Sequence, residues 1–272
     1  MKELLLEDCQ SSATINIAPI KWTTKKLVSW IQYNFKLNVC RESVRLLLKK
    51  LGFAWKKAKK VLFKADPEKR KEFLEKLKIL LTAATHGDSF IVYIDEAHIH
   101  WDTGLGYGWA PKSQRLYSTS LSPGLSAKKS FYGVYFYNAG QVEILDFDKA
   151  NQDNTIAVLK KIKQRLPYEN IKVIWDGASY HRAKRVYSAA ASLGIELVQL
   201  PAYSPDFMPV EALWQWLRTE VTRNYCHTSA KEFLERIRDF EFEINQNPSL
   251  IADRLWRTIT MCQEEEKLRI SK

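Results

Sequence analysis

Apolar positions recur at helical spacing through the first third of the chain, then give way to short runs of β-branched and aromatic residues. In WTTKKLVSWIQYNF, Leu27, Val28, Ile31 and Phe35 share one helical face behind a capping Thr23 or Thr24. After the break KLNVCRE, the segment SVRLLLKKLG repeats the pattern with Val44, Leu47, Leu48 and Leu51; Ser43 is the expected cap and Gly52 the stop. Two short helices about a tight break, the second carrying Arg45, Lys49 and Lys50, have the layout of a helix-turn-helix, although a plain helical hairpin shares the pattern. The stretch from Phe53 to Phe63, with its KKAKK cluster, reads as a wing or a strap along phosphates. Asp66-Pro67 then opens a third helix that ends before His86-Gly87.

From residue 89 the period changes. SFIVYIDE is a β run finishing on two acids, and SFYGVYFYN and QVEILDFD, divided by the turn Ala139-Gly140, complete a three-strand meander. A helix from about Asp153 to Arg165 precedes the strand IKVIWD. A helix near Ala183–Leu193, the strand IELVQL, the loop PAYSPDFMP and a helix from about Val210 follow, and further helices close the chain. The order β-β-β-α-β-α-β-α is that of an RNase H-like sheet. The expected fold class is therefore α/β: an RNase H-like mixed sheet flanked by helices, preceded by a small helical helix-turn-helix domain. The expected divisions are an arm at 1–20, the helix-turn-helix domain at 21–64, a linker helix at 65–88, the catalytic domain at 89–225 and C-terminal helices at 226–272.

Charge sharpens this reading. The chain carries a formal +11, yet residues 21–64 alone hold 13 Lys or Arg against the single acid Glu42. A near-neutral body bearing one strongly basic module is the footprint of a polyanion binder, and phosphate neutralisation is what non-specific DNA affinity is made of. Arg45, Lys49, Lys50, Lys56, Lys57, Lys59 and Lys60 are the expected DNA contacts there. The four cysteines form no CxxC pair, which speaks against a disulfide framework or zinc knuckle and fits a reducing cytoplasm. No apolar run reaches the ~18–20 residues of a membrane span, and the mixed start MKELLLEDCQ does not read as a secretory signal. The expected location is cytoplasmic, at the nucleoid, with no membrane partner.

Two acids close strands rich in Val and Ile: Asp95 and Asp176. Buried carboxylates are costly unless paired, hydrogen-bonded or bound to metal. If the strands are neighbours, both emerge at one edge of the sheet, and Glu211, heading a helix after a proline-bounded loop, can join them. Three oxygen donors without clustered Cys or His select Mg²⁺, with Mn²⁺ able to substitute, over Zn²⁺. Glu96 alternates to the opposite face of its strand and reads as structural or surface. His98 and His100 read as surface or strand-packing residues. His181 and Arg182, shortly after Asp176, and Lys112, in GWAPK, are candidates to approach DNA, whereas Trp214 and Trp216 read as anchors of the Glu211 helix in the core.

The phrases IDEAHIHWDTGLGYGWAPKSQR, IWDGASYHRAKRV and LPAYSPDFMPVEALWQWLR resemble the three signature blocks of Tc/mariner-type DDE transposases, in the bacterial insertion-sequence 630 branch. The resemblance implies that Asp95, Asp176 and Glu211 bind catalytic metals, and the 34 residues between Asp176 and Glu211 match the spacing of that superfamily. It further implies terminal inverted repeats and TA dinucleotides as DNA partners, with a second copy of the chain acting on them. Met208-Pro209-Val210-Glu211 stands where members usually carry Asn-Pro-Ile-Glu, Ser113 stands where Gly is frequent, and one helix-turn-helix unit fits where two are common. A DNA-binding repressor with an inert catalytic domain and an RNase H-like nuclease remain open readings.

Overall fold

The computed structural model describes residues 22–55, 66–121, 128–167, 170–178, 181 and 183–256 of the 272. The chain divides into two units, Met1–Val61 and Leu62–Lys272. In the first, α1 (Thr24–Phe35) begins where expected, with Thr23 Oγ1 accepting from the Lys26 amide at 3.2 Å. Helix α2 (Arg41–Lys50) starts earlier than expected. Its cap is Cys40, whose Sγ accepts from the Ser43 amide, and Ser43 lies in the first turn. Gly52, at φ +84°, supplies the left-handed residue just beyond the helix. The apolar stripes close only partly: Leu27, Ile31 and Val44 are buried, while Phe35 is 59% and Leu47 38% exposed. Two short helices share only a narrow seam, so stripe residues at its margins stay wet. The expected arm at 1–20 and Lys56, Lys57, Lys59 and Lys60 of the basic strap lie outside the described residues.

The second unit is built on five strands in the order β3-β2-β1-β4-β5. Strands β1 (Phe90–His100), β2 (Lys128–Phe136) and β3 (Gln141–Phe147) form the expected antiparallel meander. Strands β4 (Ile171–Trp175) and β5 (Ile195–Gln199) add in parallel to β1. Ile91, Val92, Tyr93 and Ile94 of the central strand are fully buried, because helices cover both faces and leave no solvent side to alternate toward. On one face pack α3 (Pro67–Thr85), α6 (Pro209–Leu217), α7 (Ala230–Asn245) and α8, over residues 248–256. On the other lie α4 (Gln152–Arg165) and α5 (Lys184–Ser192). This is the mixed RNase H-like sheet. Among the described residues no helix is long and apolar enough to cross a membrane.

Three features differ from the sequence expectation. Strand β1 does not stop at its two acids but continues to His100, because its antiparallel partner β2 runs on past the end of the parallel partner β4. Helix α3, expected as a linker, lays Phe73, Leu77, Leu80 and Ala84 into the core of the sheet. The C-terminal helices likewise belong to that layer, and α7 covers the edge strand. Asn245 accepts from the Val142 amide and donates to the Val142 carbonyl, both at 2.9 Å, and Glu241 accepts from the Ile144 amide at 3.2 Å.

Candidate active site

Strand register brings the two aspartates together. In the parallel pairing of β1 with β4, Tyr93 faces Ile174, so two residues further on Asp95 lies beside Asp176, where β4 gives out into a loop. Asp95 faces helix α6, whose Trp214 donates its indole N–H to Asp95 Oδ2 at 3.0 Å. Glu211 sits in the first turn of the same helix. Asp95, Asp176 and Glu211 all line one cavity of about 460 Å³, which Gln199, Tyr203 and Ser204 also line.

Two packing details set this geometry. Gly133 lies opposite Asp95 on β2, and a Cβ there would come within 2.7 Å of both Trp214 and Val210. Its bare backbone lets α6 close onto the sheet far enough for the indole to reach Asp95. The loop leading to Glu211 is held by Arg70 of α3, which donates to Ser204 Oγ at 2.8 Å and to both carboxylate oxygens of Asp206, and stacks over Phe207 at 4.4 Å. Arg70 is buried, so this bidentate pair is shielded from water on the arginine side.

Behind the cavity stands a second constellation. His181 is 1% exposed and stacks on Trp175 with ring centroids 4.5 Å apart. Its Nδ1 bonds Asp176 Oδ1 at 2.8 Å and its Nε2 bonds Glu96 Oε1 at 2.7 Å. Glu96 does point to the face opposite Asp95, as alternation requires, but it is enclosed rather than on the surface. His98, by contrast, is exposed and bonds Ser130 Oγ at 2.9 Å.

The electrostatics follow from burial and crowding. Burial first, then the charges of Glu211, Glu96 and Asp176, push Asp95 up to about 8 against the pull of the Trp214 bond. Burial also raises Asp176, but the bonds from His181 and the Ala178 amide outweigh it and hold its carboxyl below the usual range. Burial lowers His181, yet its bonds to Asp176 and Glu96 win and push the imidazole up to about 9. Glu211 is raised by burial and by Asp176 while Arg218 opposes; it stands at the open rim, where water softens the effect.

Among the described residues no salt bridge engages Asp95 or Glu211, so apart from His181 on Asp176 and the charge of Arg218 beyond salt-bridge reach of Glu211 the crowded acids have no cation in contact. That is the demand a divalent ion meets, and an all-oxygen donor set suits Mg²⁺ or Mn²⁺. The tightest donor cluster is a different one: ligand atoms of Glu96, Asp176 and His181 lie within 4.8 Å of one another. There, however, the imidazole faces a carboxylate from each nitrogen and itself supplies the positive charge. The wider spacing at the cavity leaves room for ions that keep several waters.

The remaining expected contacts are dispersed. His181, expected as a DNA contact, is turned inward by its two carboxylate partners, and Arg182 lies outside the described residues. Lys112 is exposed on a segment where Tyr107 and Trp109 are also fully exposed. In the first unit Lys49 and Lys50 are exposed, and Arg45 pairs with Glu42. The Trp214 bond to Asp95 and the Glu96 bond to His181 had no sequence signal, because each joins residues far apart in the chain through packing.

Residues 90–234 match the DDE superfamily endonuclease family, and residues 21–77 match a winged helix-turn-helix family. The chain is 25% identical over 230 residues to the "insertion element IS630 uncharacterized 39 kDa protein" of Shigella sonnei, covering 84% of this chain. It spans 66% of that relative's length. Among solved structures it is similar to the Mos1 transposase paired-end complex with left transposon end, with a TM-score of 0.63 and 18% identity over 93% of this chain and 79% of the other. The crystallised catalytic domain of Mos1 mariner transposase matches with a TM-score of 0.51 and 17% identity, over 77% of this chain and 94% of the other.

Proposed function

The chain belongs to the DDE superfamily endonucleases, and from that premise we propose that it is a transposase of the Tc/mariner-type, insertion-sequence 630 branch whose Asp95, Asp176 and Glu211 hold the catalytic metal. One observation supports this reading most: the β1–β4 register that sets Asp95 beside Asp176 on a cavity also lined by Glu211. Mg²⁺, with Mn²⁺ able to substitute, would supply charge to activate a hydroxyl and to stabilise the leaving oxygen, two ions serving both cleavage and joining. The chain's own contribution is positional. Trp214 restrains Asp95, Gly133 lets α6 bring Glu211 to the sheet, and Arg70 braces the loop before it.

The basic first unit binds the terminal inverted repeats through Arg45, Lys49 and Lys50, joined by Lys56, Lys57, Lys59 and Lys60, while Lys112 contacts DNA near the cut. Water attacks first, and the freed 3′-hydroxyl then attacks target DNA at TA, a step among the easiest to kink. No protein–DNA covalent intermediate is required. Two copies hold paired ends, by analogy with the paired-end complex of the Mos1 neighbour, and the protein works in the cytoplasm on nucleoid DNA. The test is excision and integration of a mini-element by purified protein with Mg²⁺, with the junctions sequenced. Asp176→Ala should abolish cleavage while repeat binding persists, and junctions should show TA duplicated on either side. Full activity of Asp176→Ala would sink the site assignment, and junctions lacking TA would sink the target.

A further inference from the structure

We propose that Glu96 and His181 are positioning residues that fix the Asp176 carboxylate so that one of its oxygens is reserved for a divalent cation. The proposal rests on the reading of Asp176 as a metal ligand. Asp176 follows the end of β4, and its side chain is 50% exposed, so strand packing alone does not select its rotamer. Two donors do. The Ala178 amide at 3.0 Å and His181 Nδ1 at 2.8 Å both bond Oδ1. Among the described residues Oδ2 accepts no hydrogen bond and is left to the cavity that Asp176 lines.

His181 can impose this only because it is itself held. Its ring lies flat on Trp175, with 8° between the planes, and its far nitrogen is tied at 2.7 Å to Glu96. The Glu96 side chain is 8% exposed, on the opposite face of β1 from Asp95. An apolar residue would fill that inward position at no electrostatic cost, and buried ion pairs seldom add net stability. The arrangement is therefore better explained by what it orients. Through alternation, β1 serves Asp176 twice: Asp95 flanks it in the cavity, and Glu96 reaches it from behind through the imidazole. Such outer partners of metal ligands typically carry 10–100-fold in metal affinity.

The test is Mn²⁺ binding to the full chain without DNA, followed by the electron paramagnetic resonance signal of the free ion. Circular dichroism confirms that each variant is folded at the working temperature. Glu96→Ala should weaken Mn²⁺ binding by roughly 10–100-fold. Glu96→Gln, which still bonds the imidazole, should stay within about threefold of the parent. His181→Phe keeps a ring on Trp175 but loses both bonds, and should match Glu96→Ala; it carries the comparison if Glu96→Ala does not fold. In a nicking assay both weakened variants should recover as Mn²⁺ is raised, a defect in half-saturation rather than in rate at saturation. Parent-like affinity in folded Glu96→Ala or His181→Phe overturns the proposal, as does a Glu96→Gln as weak as Glu96→Ala. Binding that survives Asp95→Asn but vanishes in His181→Phe also overturns it, since His181 would then be a ligand. If Asp95→Asn loses Mn²⁺ and Glu96→Ala does not, only this inference fails; a parent that binds no Mn²⁺ ends both it and the metal-site reading.

Discussion

Asp95 illustrates how much a single residue is asked to do. It is buried in the middle of a long strand, accepts the Trp214 indole and faces two further acids, with no basic partner among the described residues. A carboxylate so placed strains the metal-free protein. Asp95→Asn keeps an oxygen for the indole and removes the cost of holding a carboxyl protonated at neutral pH where the unfolded chain would ionise it, so without divalent ions it should be more stable than the parent by about 1–2 kcal/mol. Thermal unfolding with and without Mn²⁺ checks this: the parent should be protected by the ion and the variant should not. A variant less stable than the parent without metal would count against the crowding argument. The convergence of the three acids on one cavity was legible in the sequence: Asp95 and Asp176 are anomalous in Val- and Ile-rich strands and need a reason, and Glu211 heads the helix after a proline-bounded loop. Glu96 was not, because alternation tells which face a side chain takes but not whether a histidine 85 residues away waits on that face. The Cys40 cap was missed for a plainer reason: the weak sulfur acceptor stood just ahead of the better-known cap residue Ser43.

Among elements, α6 and the strand beneath it form the most sensitive contact. Gly133→Ala would drive a methyl to 2.7 Å from Trp214 and Val210, and the helix carrying Glu211 must lift to admit it. The expected cost is about 1–3 kcal/mol, with a loss of DNA cleavage larger than the loss of folded protein. Cleavage per folded molecule, measured at a temperature where both proteins are native, is the comparison, and a parent-like value would mean the helix position is not critical. This closeness could not be read from periodicity, which placed Trp214 in the core without revealing the polar end of its ring. Helix α7 gives a pH-dependent case remote from the cavity. Burial, helped by Glu143, pushes Glu241 up to about 7 against the Ile144 amide and the charges of Arg165 and Arg238. Between the ordinary carboxylate range and about 7 the folded protein therefore keeps a proton that the unfolded chain has released, so stability falls as pH rises through that window and the penalty is complete above it. Glu241→Gln should raise the melting temperature by roughly 2–4 °C at pH ~8, about 1 kcal/mol after solvent screening, and leave it nearly unchanged at pH ~5. Equal shifts at both pH values would show that the proton is not the cause.

At the scale of the whole chain, the division into units falls close to the line where composition changes. The net +11 is concentrated in residues 21–64, ahead of a body that is close to neutral, and the chain separates into two units at Val61 and Leu62. Deleting residues 1–64 should remove repeat recognition and flatten the salt dependence of DNA binding. Each phosphate that the shortened chain no longer neutralises should reduce the slope of log affinity against log salt by about 0.9. An unchanged slope would place the DNA-binding surface in the second unit. Sequence order alone yielded the sheet, but not the membership of α3 and α7 in its outer layer, because amphipathic helices do not announce which face of a sheet will receive them. The covering of β3 has one more consequence. An outer strand ordinarily offers its amides and carbonyls to any extended peptide that drifts past, the first step in fibril growth and sheet-to-sheet stacking. Here Asn245 takes the amide and carbonyl of Val142 and Glu241 takes the amide of Ile144, as a further strand would, so these three groups are already occupied while the protein is native. Deuterium should enter at the Val142 and Ile144 amides only when α7 peels away, and templated misassembly along that margin would have to wait for the same event.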